Sequence, residues 1–240
     1  MTTDRIAAIT GGAGALGSAL AAHLVGKGYR VALFDTERAK DRMQEIATQL
    51  GPENAIGHAG DFGVAATWEE AVAATQKAFG AAPTHGVLVA GGWAGGSPIH
   101  AAKDDAAYEG MMRSNVDTMY RALRALLPPM VAKKSGSIVV VGSRAVERPW
   151  TSAGSAAYAA SKSAVVTMAQ AVAQEVLEHG VRINAILPST MDTPANRRSM
   201  PSVDPTTWVA LDSAAAVIAF LLSDDARDVS GAAVPVYGRA

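Results

Sequence analysis

Thr10-Gly11-Gly12-Ala13-Gly14-Ala15-Leu16-Gly17 follows a short apolar run, Ile6–Thr10, and opens a helical pattern near Leu16–Gly26. Glycines at a strand-to-helix turn let the backbone approach a pyrophosphate, and the helix N-terminus adds free N–H groups and a favourable dipole. A tight connection without ligand would look the same. Asp35 tips the reading towards a ligand: it ends the next apolar run, 18 residues after Gly17, where an acid accepts hydrogen bonds from a ribose diol.

Outward from this turn, β-rich runs alternate with longer helical patterns. The runs are Ile6–Thr10, Arg30–Phe34, Ala55–Ala59, Gly86–Ala90, Ser137–Gly142, Arg182–Leu187 and Ala233–Tyr237. The helical patterns are Leu16–Gly26, Arg38–Leu50, Ala66–Phe79, Asp104–Met130, Ala156–His179 and Ser213–Leu222. Apolar strands alternating with helices predict βαβ units and a sheet covered on both faces. The expected fold is α/β: a single doubly wound Rossmann-type domain over residues 1–240, its seven-stranded sheet mostly parallel with helices on both faces. Two segments lack a period, the loop Ala90–Pro98 and a stretch from Pro188 to about Trp208, the second expected to cover a substrate.

With 49% hydrophobic residues in 240, the chain can bury a substantial core. A net charge of −1 without a basic block gives no footprint for nucleic acid. The absence of Cys excludes disulfides, thiolate metal sites and Cys nucleophiles, and agrees with a reducing cytoplasm. The longest apolar run, Ala214–Leu222, is too short for a bilayer core of ~30 Å, and no targeting segment is visible. The five histidines show no metal-ligand spacing, so no metal is expected. The chain reads as cytoplasmic, with a small-molecule substrate and no membrane or nucleic-acid partner.

Tyr158-Ala159-Ala160-Ser161-Lys162 places a phenol and an ammonium four residues apart, one turn of helix. An adjacent cation favours the phenolate, which would let Tyr158 exchange protons below its free pKa of about 10. Asn115 lies on a central helix, and Ser143 follows the fifth run. Taken singly, Asn115 also reads as a buried polar residue bonded to backbone, and Ser143 as a turn former.

The Thr-Gly turn, Asn115, Ser143, Tyr158 and Lys162, in that order, resemble the short-chain dehydrogenase/reductase family over essentially the whole chain. Two departures stand out. Ala15 replaces the usual second glycine of the turn, and Ser143 precedes Tyr158 by 15 residues where 13 is common. The resemblance implies an enzyme transferring hydride between NAD(P) and a small carbonyl or alcohol, in a dimer or tetramer. Tyr158 would be the general acid/base, Lys162 would lower its pKa and hold the nicotinamide ribose, and Ser143 would bond the substrate oxygen. Asn115 would steady a kinked helix and a water linking Lys162 to solvent. Gly11, Ala13, Ala15, Leu16 and Gly17 would cradle the pyrophosphate. Ala90, Gly91 and Gly92 would pass close to the ribose, and Pro188, Thr190 and Thr193 would cross the nicotinamide.

Asp35 would repel a 2′-phosphate, so NAD is expected over NADP, although Arg38 three residues on would favour phosphate if it turned inwards. Asp61 would contact adenine or cap the helix beginning near Val64. Two loops, Val89–Gly96 with Trp93 and Leu187–Trp208, are similar to those of quinonoid dihydropteridine reductases. Ser143 stands where those enzymes have Ala, which favours ordinary carbonyl chemistry and makes pterin reduction the alternative. Trp93 would face the ligand or anchor its loop in the core. Arg197 would meet an anionic substrate group or tie the loop to acids such as Asp204. A nucleotide-binding regulator without chemistry is the reading of another class; such relatives typically lose the tyrosine or lysine retained here.

Overall fold

A computed structural model describes residues 5–239. Seven strands form one sheet: β1 (Ile6–Thr10), β2 (Arg30–Asp35), β3 (Ala55–Ala59), β4 (His85–Leu88), β5 (Gly136–Val141), β6 (Val181–Pro188) and β7 (Ala233–Val236). Their order is β3-β2-β1-β4-β5-β6-β7, and every pairing is parallel. The strands between carry unbroken apolar runs because both faces are buried. Ile6 and Ala8 of β1 point into one core and Ala7 and Ile9 into the other, the two-residue alternation of a strand.

Helices α1 (Ala15–Gly26), α2 (Lys40–Leu50) and α8 (Leu211–Leu222) close one face over Leu20, Leu33, Met43 and Ile218. On the other face α3 (Ala65–Phe79), α5 (Thr118–Lys133) and α6 (Ala156–Glu175) bury Phe34, Trp68, Leu126 and Val166. Strand order reverses between β1 and β4, so a crevice opens there beyond the carboxyl ends of the strands.

Three expected elements differ. The helix expected over Asp104–Met130 is broken into α4 (Ala106–Met111), a π-helical stretch Met112–Asp117, and α5, which runs through Pro128 and Pro129 to Lys133. The strand expected at Gly86–Ala90 starts at His85 and stops at Leu88, because Val89 and Ala90 turn towards the crevice. The covering segment after Pro188 is not aperiodic. It holds the six-residue helix α7 (Pro194–Ser199) and a 3-10 turn Pro205–Thr207, and a Met191–Val209 bridge closes its base.

The amino edge of the sheet is pinned by charge. Arg182 donates to the carbonyls of Leu221, Leu222 and Ser223 at the end of α8, where a cation also meets the negative pole of the helix. Arg5 pairs with Asp224 at 3.1 Å and lies over the Tyr29 ring, which meets His85 edge-on at 5.0 Å. Burial, helped by Arg5 and Arg182, pushes His85 down to about 4. Its folded-state pKa is below its unfolded value, so the stability it confers is present above pH ~6.5 and lost as pH falls through its folded pKa. Urea unfolding is expected to show stability falling by on the order of 1 kcal/mol per pH unit from pH 6.5 to 4.5. In His85→Gln that slope should flatten; an unchanged slope would place the acid sensitivity elsewhere.

Candidate active site

The Gly-rich turn meets steric demands that only glycine satisfies at two positions. Gly11 has φ +65°, and a Cβ there would lie 3.2 Å from the Ala90 nitrogen. A Cβ on Gly17 would come 2.2 Å from the Gly11 carbonyl oxygen. Gly14 precedes α1 and is exposed, with no side chain capping the helix. Ala15, the departure in this turn, begins α1 partly exposed, where its methyl is accommodated. Asp35 belongs to the turn as much as to β2. Its Oδ2 accepts from the Ala13 N–H at 3.0 Å and its Oδ1 from the Thr36 N–H at 2.8 Å. Each carboxylate oxygen has a lone pair left for a diol. The concave turn and the adjacent carboxylate fit a dinucleotide. Arg38 is exposed on a one-turn 3-10 helix, Glu37–Ala39. Asp61 caps nothing: its Oδ1 accepts from the Gly63 N–H at 2.8 Å, and Val64 is the residue before α3.

Lys162 lies at the base of the crevice, 6% exposed. Its ammonium donates to the Val141 carbonyl at the end of β5, at 2.9 Å, one of its three N–H groups. Among the described residues no carboxylate pairs with it, and burial lowers its pKa to about 8. Asn115, in the π-helical stretch, is 1% exposed. It accepts from the Gly92 N–H at 2.7 Å and donates to the fully buried Ser161 hydroxyl at 2.8 Å. Ser161 in turn donates to the Tyr158 carbonyl at 2.8 Å. Asn115 therefore locks the Gly91–Gly92 backbone to the helix that carries Tyr158 and Lys162. A Cβ on Gly91 would sit 2.5 Å from Asn115 Oδ1 and 3.2 Å from Lys162 Nζ.

Tyr158 is half-buried on α6, one turn before Lys162. The expected acidification of its phenol by Lys162 is absent from the free protein. Burial pushes the phenol above its ordinary pKa, and the opposing influence is a hydrogen bond from Ser143. Ser143, 8% exposed, accepts from the Ala145 N–H at 3.2 Å, which leaves its O–H free to donate on the Tyr158 side. The extra residues between Ser143 and Tyr158 are taken up by two 3-10 turns, Arg144–Val146 and Pro149–Ser152.

The outer residues divide. Pro188 ends β6, and the Thr190 carbonyl accepts from the Val209 N–H at 2.9 Å. Thr193 caps α7, its hydroxyl accepting from the Asn196 N–H at 3.1 Å. Arg197 forms a two-pronged pair with Asp192 through Nε and Nη2, at 2.6 and 2.8 Å, and its side chain is otherwise exposed. The tether acid is therefore Asp192; Asp204 instead accepts from Thr206. Trp93 is 66% exposed, so it is no core anchor. Its loop is held where the Gly96 N–H donates to the Gly154 carbonyl at 2.9 Å. Ser161, Val141 and Ala145 were missed by sequence reasoning. Ser161 had a signal, three residues from Tyr158 on one helix face; the other two act through backbone atoms, which no residue letter reports.

The model of the short chain dehydrogenase family matches residues 5–203. The chain belongs to that family. A dehydrogenase of 2,5-dichloro-2,5-cyclohexadiene-1,4-diol from Sphingobium indicum is 32% identical, with 98% of this chain and 95% of the relative aligned. The crystal structure of a levodione reductase superposes with a TM-score of 0.87 at 29% identity, covering 99% of this chain and 98% of that one. A 3-ketoacyl-(acyl-carrier-protein) reductase from Brucella melitensis, complexed with NADH, gives 0.86 at 26% identity and 98% coverage of both. Short-chain dehydrogenases are oxidoreductases, so this chain is a family member of that reaction class. No described helix is long and apolar enough to cross a membrane.

Gly91→Ala tests the packing at the centre of the site. The added methyl should displace Asn115 and Lys162 and lower kcat/KM at least about 10-fold while thermal stability falls by only a few degrees. Full turnover with an unchanged KM would show that the close approach is not needed.

Proposed function

We propose that this chain is an NADH-favouring oxidoreductase that interconverts a small ketone or aldehyde and its alcohol, with Tyr158 as general acid/base. The observation that carries the reading is the buried Ser143 hydroxyl beside the half-buried Tyr158 phenol, near enough to oppose the rise that burial imposes on the phenol's pKa. Two O–H groups so placed suit a single substrate oxygen lying between them.

The nicotinamide would supply or take the hydride at the carbonyl carbon. The Gly11–Gly17 turn would hold the pyrophosphate and Asp35 the adenosine ribose; Lys162 and Tyr158 would hold the other ribose, beside Ala90, Gly91 and Gly92. Pro188, Thr190 and Thr193 would border the nicotinamide. In reduction the phenol, protonated at neutral pH and raised further by burial, gives its proton to the forming alkoxide; in oxidation it takes that proton back. Ser143 donates to the same oxygen as charge builds on it. Lys162 supplies positive charge that stabilises the phenolate left behind, an effect that gains force as the site is closed to water. Asp35, tied to the turn, sets a negative charge where a 2′-phosphate would lie, which supports NADH over NADPH.

The test is NADH consumption against ketones, aldehydes, quinones, cyclic diketones and quinonoid dihydropterin, with NADPH in parallel and cyclic diols tried with NAD⁺. Tyr158→Phe should lower kcat by roughly 10²–10⁴-fold, and intact activity would remove the proton-donor assignment. Asp35→Ser should cost NADH roughly 10-fold in kcat/KM and narrow its advantage over NADPH. Equal use of both cofactors by the unmodified enzyme would contradict the role of Asp35. Turnover confined to dihydropterin would favour the pterin-reductase reading suggested by the two loops.

A further inference from the structure

The Tyr237 phenol donates to Glu147 Oε2 at 2.5 Å, across 90 residues of sequence. The Arg148 guanidinium lies over the same ring, 5.1 Å from its centroid. At the other end of the residue, the Tyr237 carbonyl accepts from the Ser189 hydroxyl at 2.7 Å. One residue just past β7 thus joins the segment after β5 to the root of the covering segment after β6.

The grip on Glu147 bears on Ser143. Ser143 is the N-cap of the 3-10 turn Arg144–Val146 and Glu147 is its C-cap. The Val146 N–H donates to the Ser143 carbonyl at 3.0 Å and the Glu147 N–H to the Arg144 carbonyl at 3.1 Å. A single tight turn has little freedom between its caps, so holding Glu147 fixes the direction of the Ser143 O–H. The segment needs such a hold, since it is two residues longer than the common spacing before Tyr158.

Resting on the reading of Ser143 as the donor to the substrate oxygen, we propose that Tyr237 is a positioning residue: through Glu147 it holds the Ser143 turn against Tyr158 and couples it to the covering segment at Ser189.

The experiment combines hydrogen exchange on the free protein with kinetics on a carbonyl substrate found by the NADH panel. In Tyr237→Phe, amides of residues 144–147 should exchange at least about 10-fold faster while those of α6 stay unchanged. kcat should fall about 10-fold with KM nearly constant, the loss expected from a misplaced donor. Glu147→Ala should match it, and Glu147→Gln, whose amide oxygen still accepts, should restore most of the rate. In a Ser143→Ala background, Tyr237→Phe should cost less than about 2-fold, because the group it positions is gone. Equal losses in both backgrounds, or unchanged exchange at 144–147, would overturn the proposal. If Ser143→Ala itself left turnover intact, the reading of Ser143 would fall and take the tether's role with it; loss in Ser143→Ala without loss in Tyr237→Phe would remove the tether alone.

Discussion

A buried ammonium that has no carboxylate partner among the described residues governs this molecule. Lys162 has been taken out of water at the carboxyl edge of the sheet and given one backbone carbonyl, that of Val141, in exchange. Burying a cation is costly unless its donors are satisfied, and its pKa falls accordingly. The surroundings are shaped to keep it in place. Gly91 has no side chain because a Cβ would collide with Asn115 and press on the ammonium. Asn115 sits in a π-helical stretch that turns its amide towards Gly92 and Ser161. β5 ends where its last carbonyl can be used. Two donors on Lys162 remain for a ligand, which is why the position makes sense in a short-chain dehydrogenase.

Tyr158 and Ser143 are built on this base but are controlled separately. Burial raises the phenol's pKa further above its ordinary value, and the hydroxyl beside it comes from a different loop. The proposed chemistry therefore depends on two segments that meet, one on α6 and one after β5. α6 is anchored by Ser161 and Lys162 from within the core. The segment after β5 is held by the Gly142 N–H on the Ile186 carbonyl, by the buried Ala145, by bonds to its own backbone and by the last turn of the described chain at Tyr237.

Much of this was legible in residue letters. Strands covered on both faces are mostly apolar and alternate with helices, so all seven were found, and their ends shifted by a residue or two because extended backbone continues past the last pairing. The Gly turn and Asp35 could be read because sterics and charge restrict the residue types allowed there. The break at Met112–Asp117 left no mark in the helical period; only the family resemblance, which implied a kinked helix at Asn115, pointed to it. The short helix α7 had one that periodicity does not capture: Thr193 followed by Pro194, an N-cap and a first-turn proline. Asp61 and Arg197 share a feature that residue spacing did not single out. Each has a partner within five residues, Gly63 and Asp192, which engages part of the side chain and sets its direction. The Tyr158–Lys162 spacing predicted a shared helix face correctly, but the electrostatics turned on the Val141 carbonyl, a backbone atom brought there by tertiary structure.

The account rests on the state of that one ammonium. Titrating ¹³C-labelled lysine side chains by NMR in the free enzyme, with Lys162→Met to assign the signal, measures it directly. A midpoint at about 8 is expected, because the group is buried and bonded to a carbonyl rather than to an acid. A midpoint near the ordinary lysine value of about 10.4 would contradict it, since the cation would then be solvated or paired and the site would not be organised around it.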